Sequence, residues 1–363
     1  MTRLIVAAGG GGDAAAAAML DAALHGDRDP AVILTYAWDR LIIDPVPGPR
    51  GPANFTGLRQ LTPHVHIVPA DAQPIPPAGS TLPRLAAELP QAFALIDPHH
   101  GAEGVARQLE ELIAELSPQS IDVLDVGGDI LARGDEPTLK SPLGDALTLA
   151  ACARVTAEMR LLVAGPGLDG EIPAEDLRER LGSRIHTLTA EEVEPISSVL
   201  EWHPSETTAM LAAAARGARG LCEVRDAGLL IPLTDESPTV HEADLDEALQ
   251  RNELARRLLS TTSLKEAEAR SREVCGYSEI DYERNKALWL TDQATKPLDA
   301  DTALSHLAEF EADARARGIT HTTFRRLTEA LRFDGAQRAD LRALLITSHP
   351  DQYTAPLWRF RGA

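Results

Sequence analysis

The chain has 363 residues, of which 44% are hydrophobic and only 4% aromatic, so we expect a core built mainly of aliphatic side chains and alanine. Its 55 acidic and 35 basic residues give a formal net charge of -20 at pH 7. Such a surface repels the phosphates of nucleic acids and of anionic lipids, so we expect neither nucleic acid nor membrane as a partner.

Cysteines and apolar runs indicate the compartment. Cys152, Cys222 and Cys275 are far apart and form no C-x-x-C pair, which favours buried thiols over disulfides or a structural zinc site. The apolar run of residues 1–8 is too short for a signal peptide before glycines follow it, and no apolar run reaches membrane-spanning length. We therefore expect a cytoplasmic protein.

The first predicted strand, residues 3–8, is followed by Gly9–Asp13 and by a helix-forming run, residues 14–24. A glycine loop at a helix start can bind an anion, because the N–H groups of the first turn point outward. The candidate ligand-binding residues here are Gly10, Gly11 and Gly12. The stretch is neither G-x-G-x-x-G nor a P-loop, and Asp13 puts a negative charge where a pyrophosphate would lie. A tight strand-to-helix turn, with Asp13 as the N-cap of the helix, explains the glycine-rich stretch equally well.

A second predicted strand, residues 31–37, leads into a loop dense in Pro and Gly, which excludes a helix or a central strand. Arg40 in this loop suits bidentate capture of a carboxylate or phosphate, although a solvated surface loop is the simpler explanation. Further strands are predicted at residues 65–68 and 93–96. The second of these ends in Asp97-Pro98-His99-His100, a spacing without metal specificity.

The most informative stretch is Ser120–Asp129, a β-branched and apolar run that ends in an acid, two glycines and a second acid. Gly127 and Gly128 allow a sharp turn or a close approach of the backbone to a ligand. Ser141-Pro142 then predicts a helix start, with Ser as the N-cap and Pro at the first helical position. The pattern is strand, crowded polar loop, helix.

The acids of these loops are candidates for chemistry. Asp13, Asp125 and Asp129 supply enough carboxylate oxygen to hold Mg²⁺ or Mn²⁺, with Asp145 as a further candidate. Alternatively, one of these carboxylates, its pKa raised by its neighbours, is a general base. Lys140 can neutralise the acids, hold an anion or act as a base, unless it only braces a turn through an ion pair.

Polar clusters also follow the later strands, which are predicted at residues 160–164, 184–188, 220–224 and 229–233. The first of them ends in a glycine-rich turn with two acids, residues 165–171. Ser205 is placed as the N-cap of an Ala-rich helix, and the hydroxyl groups of Ser205, Thr207 and Thr208 are candidate ligands for an anion.

The alternation of strands and helices over residues 1–235 predicts an α/β domain with a doubly wound, mostly parallel, Rossmann-like sheet. In such sheets, ligands bind beyond the carboxyl ends of the strands, where the polar clusters would meet at one rim. From residue 236 to 363 helical patterns dominate, beginning with a helix predicted from His241 to Leu259. We expect a helical extension there, which is also the candidate surface for a homo-oligomer.

Four motifs occur in order along the chain: Gly9–Asp13, Asp125–Asp129, Ser141–Asp145 and Pro204–Thr208. Together they resemble an uncharacterised family catalogued as domain of unknown function 1152, met in actinomycetes and archaea. The resemblance implies an α/β fold and a cytosolic protein. It implies no activity.

These patterns predict a small-molecule enzyme, a metal-assisted hydrolase or lyase acting on a polar, anionic metabolite, with Asp125, Asp129 and Lys140 as catalytic groups. No G-x-S-x-G, H-E-x-x-H or kinase signature is present, which disfavours those classes. Two alternatives stay open. One is a non-catalytic protein that binds a metabolite at the same rim and has a regulatory role. The weaker one is an enzyme that uses a nucleotide cofactor.

Overall fold

The computed structural model describes residues 2–26, 29–225, 228–291, 299–333 and 337–362. The strands are β1 (Arg3–Ala7), β2 (Val32–Thr35), β3 (Phe55–Thr56), β4 (Arg59–Gln60), β5 (His66–Ile67), β6 (Gln73–Pro74), β7 (Ala92–Leu95), β8 (Ser120–Val126), β9 (Arg160–Ala164), β10 (Arg184–Thr187), β11 (Gly220–Val224), β12 (Leu229–Leu233), β13 (Thr239–Ala243), β14 (His321–Thr322), β15 (Tyr353–Thr354) and β16 (Leu357–Arg359).

The α-helices are α1 (Asp13–His25), α2 (Leu82–Glu88), α3 (Gly101–Leu116), α4 (Pro142–Cys152), α5 (Ala174–Leu177), α6 (Ala190–Val193), α7 (Ser197–Leu200), α8 (Glu206–Ala215), α9 (Leu245–Arg251), α10 (Glu253–Leu258), α11 (Leu264–Cys275), α12 (Glu279–Thr291), α13 (Ala300–Ala316), α14 (Phe324–Ala330) and α15 (Arg338–Ser348). Short 3-10 helices lie at Pro52–Asn54, Pro98–His100, Asp129–Leu131, Glu194–Ile196 and Pro350–Gln352.

The central sheet has nine strands in the order β10-β13-β9-β8-β1-β2-β7-β5-β4. Its inner strands β9, β8, β1, β2 and β7 are parallel, and the flanking strands pair antiparallel. The chain passes from β1 to β2 and β7 on one side, and then returns to place β8 and β9 on the other side of β1. Strand order therefore reverses between β1 and β8, and ligands bind at such a reversal in open parallel sheets.

Helices cover both faces of this sheet, because alternate residues of each inner strand point to opposite sides. In β1, Ile5 and Ala7 belong to the core cluster that contains α1 and α8. Leu4 and Val6 belong to the cluster on the other face, with α3 and α4. The predicted doubly wound, mostly parallel α/β fold is confirmed.

Beyond the central sheet, a second sheet has the order β12-β11-β14-β16-β15. It packs with α13, α14 and α15 around an apolar cluster that includes Phe324, Trp358 and Phe360. Mainly helical structure follows Leu245, so the predicted C-terminal helical extension is also confirmed. The domain boundary near Glu236 stays a prediction. Within the described ranges, every helix is too short or too polar to cross a membrane.

The helix predicted from His241 is wrong over its first residues. Residues Thr239–Ala243 form β13, which pairs antiparallel with β9 and β10 in the central sheet. Val240 in this strand is fully buried, and the helix α9 begins only after Asp244, whose side chain accepts the backbone N–H of Glu247. Pairing with a sheet formed earlier in the chain therefore overrides the local helical pattern.

The second sheet depends on a buried ion pair, which gives a testable prediction. Glu223 in β11 is fully buried and accepts hydrogen bonds from Arg326 at 2.7 Å and Arg317 at 2.8 Å. Glu223→Gln removes the buried carboxylate from both guanidinium groups and leaves Arg317 with its exposed partner Asp313, so we expect urea unfolding to show that the free energy of unfolding falls by about 3 kcal/mol. Glu253→Gln, in the exposed pair with Arg257, is the control and should cost less than about 0.5 kcal/mol. Equal losses would contradict the prediction.

Candidate functional site

A cleft of about 880 Å³, measured with the open space at its mouth, lies at the carboxyl ends of β1, β8 and β9. Gly9–Asp13 enters it after β1, Asp125 at the end of β8, and Asp169 after β9. Ser205 reaches it from the start of α8. Segments that are distant in sequence therefore meet in one cavity at the reversal of strand order.

Three carboxyl groups form the centre of the cavity. Asp13, Asp125 and Asp145 are all buried, and each offers a carboxylate oxygen within 4.8 Å of the others. Asp13 is the first residue of α1 and accepts the backbone N–H of Gly9 at 2.9 Å. A side chain on Gly9 would enter the space of both carboxylates, its Cβ lying 2.9 Å from Asp13 and 3.1 Å from Asp145. Glycine at this position makes room for the acids.

Several buried carboxylate oxygens in the cavity lack a hydrogen-bond partner among the described residues. They are Asp145 Oδ1, Asp169 Oδ2 and Glu279 Oε2. All three residues line the cavity. A buried polar atom without a partner costs free energy, so these oxygens indicate that a cationic or hydrogen-donating group belongs in this space.

Burial also raises the pKa of these acids. It brings the pKa of Asp13 and of Asp169 to about 7, from an ordinary value of 3.8. Burial, with repulsion from neighbouring carboxylates, raises the pKa of Asp125, Asp129 and Asp145 well above the ordinary range. Asp125 and Asp129 both line the cavity, and the negative charge of Asp125 contributes to the raised pKa of Asp129. A bound cation would take the place of protons on these carboxyl groups.

Other acids of the cavity are structural. Glu171 accepts the backbone N–H groups of Lys140 at 2.6 Å and Ser141 at 2.8 Å, and it forms an ion pair with Arg225 at 3.0 Å. Arg225 has a φ of 61°, which is uncommon for a residue with a side chain. Its guanidinium also donates to the backbone carbonyl of Asp169 at 2.7 Å. Glu171 and Arg225 thereby fix the loop that carries Asp169.

Two further acids are held in the same way. Glu206, the first residue of α8, accepts the backbone N–H of Arg225 and forms an ion pair with Arg325 at 3.3 Å. Glu283 of α12 accepts the indole N–H of Trp38 at 3.0 Å and the backbone N–H of Gly48 at 2.7 Å. The carboxylates of Glu206 and Glu283 therefore have hydrogen-bond donors, whereas Asp145, Asp169 and Glu279 each have an oxygen without one among the described residues.

The hydroxyl groups predicted to bind an anion have different positions. Ser205 Oγ caps α8 by accepting the N–H of Thr208, and it donates to Thr208 Oγ1 at 2.9 Å. Thr208 Oγ1 donates in turn to the carbonyl of Gly12 at 3.0 Å. Ser205 and Thr207 line the cavity, whereas Thr208 joins α8 to the glycine loop beneath it. A Cβ on Gly12 would lie 1.9 Å from Ser205 Oγ, so glycine is required at this junction.

Among the other predicted site residues, Gly10, Gly11 and Arg40 line the cavity. Within the described part of the chain, the exposed Arg40 guanidinium makes neither a hydrogen bond nor an ion pair. Besides Thr208, three predicted site residues are absent from the lining: Gly127, Gly128 and Lys140. The two glycines have φ values of 122° and 114° and make room for the side chains of Asp169 and Leu177.

Lys140 does not contribute its side chain to the cavity. It is exposed, and its contact with the site is the backbone N–H that Glu171 accepts. The loop is thus fixed through the backbone of Lys140. The lysine ammonium does not lie where it could neutralise the central acids or bind an anion beside them.

Some cavity residues were not predicted. Glu279 and Glu283 come from α12, and Arg325 comes from α14, far along the chain. In sequence they lie in charged helical segments, which are typical of solvated surfaces. The signal available was the spacing of Glu279 and Glu283, which places two acids on one face of a helix.

The fold and the cavity define a doubly wound α/β protein with an acidic cavity at the reversal of strand order. The family model described as protein of unknown function (DUF1152) matches residues 4–287, and the chain therefore belongs to this family. The matched range includes the central sheet and most of α12, and this confirms the resemblance predicted from the four motifs. No curated protein and no solved structure matches the chain.

The raised pKa values predict how stability depends on pH without metal. Between about pH 4 and about pH 7, folded Asp13 and Asp169 keep protons that the unfolded chain releases. Their contribution to stability is therefore complete below this window and is lost as the pH rises through it, by up to about 1.4 kcal/mol per pH unit for each group. Urea unfolding in the presence of a chelator measures this slope.

Asp13→Asn is the matched variant, because it removes one titrating group and keeps the shape of the side chain. Its unfolding free energy should change less steeply with pH than that of the natural protein. Parallel curves for the two proteins would show that Asp13 does not hold a proton in the folded state.

Proposed function

We propose that the protein is a metal-dependent enzyme, a hydrolase or lyase, that acts on a polar, anionic small molecule at the carboxyl rim of its sheet. The observation that carries this proposal is the buried triad of Asp13, Asp125 and Asp145, with an oxygen of Asp145 that lacks a partner among the described residues. Donors that are all carboxylates favour Mg²⁺ or Mn²⁺ over softer metals.

The chemistry would be divided among the cavity residues. When bound, a divalent ion supplies Lewis-acid activation of a substrate oxygen or of water. Asp129 is buried and lines the same cavity as the triad, so in this proposal it accepts or donates a proton. Glu171 and Arg225 keep the neighbouring loop in position.

Capture of the anionic group is assigned to Arg40 and to the glycine loop. Arg40 lines the cavity and has no ion-paired partner in the described ranges. The backbone N–H groups around Gly10 and Gly11 lie before the positive end of the α1 dipole. The carboxylates repel an anion unless a cation is present, so in this proposal the metal binds before the substrate.

The proposal includes a cytoplasmic location. Cys152, Cys222 and Cys275 are all free thiols, as is typical of reducing compartments. Assembly of copies through the C-terminal helices stays a prediction. The nucleotide-cofactor alternative is disfavoured by the buried carboxyl group of Asp13 directly beneath the glycine loop.

Metal binding can be tested by thermal unfolding with and without Mg²⁺ or Mn²⁺. At a metal concentration 100 times Kd, the folded protein gains about 2.7 kcal/mol, which raises its Tm. Asp145→Asn should abolish most of this gain because it removes one charge of the triad. Asp39→Asn is the control, since Asp39 is buried but bonded to Thr81 and lies outside the cavity lining. Equal metal responses in both variants would refute the assignment.

Turnover can be tested with Mg²⁺ and a panel of phosphorylated and carboxylated metabolites, followed by NMR. Asp129→Asn should lower turnover by about 100-fold or more, as expected for loss of a general acid or base, while the metal-induced rise in Tm persists. Stabilisation by a metabolite without any turnover of the panel would instead favour the non-catalytic, regulatory alternative.

A further inference from the structure

Asp169 presents an unused carboxylate oxygen beside the triad. Its Oδ1 accepts the backbone N–H of Glu171 at 2.8 Å, which fixes the side chain. Its Oδ2 is buried and has no partner among the residues that the structure describes, and the residue as a whole is only 9% exposed. A Cβ on Gly127 would lie 2.2 Å from this oxygen, so the loop after β8 leaves room for it. Asp169 is therefore held rigidly with one oxygen free.

The charges of the cavity show what this oxygen requires. The acids of the lining are Asp13, Asp125, Asp129, Asp145, Asp169, Glu171, Glu206, Glu279 and Glu283, against Arg40, Arg225 and Arg325. Two of these arginines already pair with Glu171 and Glu206. One divalent ion on the triad still leaves several carboxyl groups without a cation. An anionic substrate would add further negative charge to this cavity.

We infer that the site takes a second divalent cation between Asp125 and Asp169, and that this ion binds together with a phosphate group of the substrate. The inference rests on the proposed function and specifies its substrate class. Asp125 would be shared between the two ions, which typically lie about 3.5–4 Å apart in such sites.

The second position is the weaker one. Within the described ranges, the three acids of the triad have carboxylate oxygens within 4.8 Å of one another, so they can bind an ion without a further ligand. The second position has only the two carboxylates of Asp125 and Asp169. Mg²⁺ is commonly held by one or two carboxylates together with waters and substrate phosphate oxygens. A phosphate group has oxygens for both ions and for Arg40, whereas a single carboxylate group has only two oxygens.

Manganese binding measures this directly, by equilibrium dialysis and by the electron paramagnetic resonance spectrum of bound Mn²⁺. We expect the natural protein to bind about one equivalent of Mn²⁺ by itself and about two with inorganic phosphate, the pair giving a spin-coupled spectrum. Acetate in place of phosphate should leave about one equivalent, because its single carboxylate group has too few oxygens to complete the second position. An acetate effect equal to that of phosphate would overturn the assigned substrate class.

Asp169→Asn keeps the oxygen that Glu171 uses and removes the charge, so it should bind about one equivalent of Mn²⁺ with or without phosphate. Asp39→Asn, a buried acid outside the cavity, should behave like the natural protein. Two ions in Asp169→Asn, or one ion in the natural protein with phosphate, would overturn the second site alone. Absence of any Mn²⁺ binding would overturn the proposed function as well. The spectrum of the natural protein decides the question even if Asp169→Asn does not fold.

Discussion

The constraint on which this structure depends is the burial of several like-charged groups at one point. Asp13, Asp125 and Asp145 are all buried, and each offers a carboxylate oxygen within 4.8 Å of the others. Isolated from water, such carboxylates must hold protons or a cation, because their mutual repulsion is strong at low dielectric. The scaffold around them must therefore be stable enough to keep them together, and two apolar layers on the central sheet provide this stability.

The backbone offsets part of the repulsion between these buried carboxylates. Asp13 and Asp145 both lie in the first turn of a helix, where the positive end of the helix dipole stabilises negative charge. Asp125 accepts the backbone N–H of Ile130 at 3.2 Å from the short helix that follows it. The parallel sheet places these helix starts and strand ends at the same edge. The arrangement of strands and helices that brings the acids together therefore also supplies helix dipoles, which partly stabilise their negative charge.

The sequence predicts the sheet well, because its inner strands are short apolar runs that end in glycine and acid. The convergence of Gly9–Asp13, Asp125 and Ser205 followed from that fold alone. Glu279 and Arg325 could not be predicted, since nothing local in a charged helix tells which face docks over a distant cavity. Strands of two residues, such as His321–Thr322, likewise leave no periodic signal. Lys140 was predicted from its neighbours, but side-chain direction in a loop is set by contacts that arise only in the fold.

An acidic protein with an acidic cavity can still favour an anionic ligand if cations are part of the site. Burial raises the pKa of Asp13 and of Asp169 to about 7, so without metal these carboxyl groups keep their protons below that pH. In the proposed function a divalent ion would displace these protons, so its binding would release protons and would strengthen as the pH rises. The bound ion would also offset the negative field of the carboxylates, so the cavity would attract a phosphate group that it otherwise repels. Metal, proton and substrate would thus be linked through one set of carboxylates.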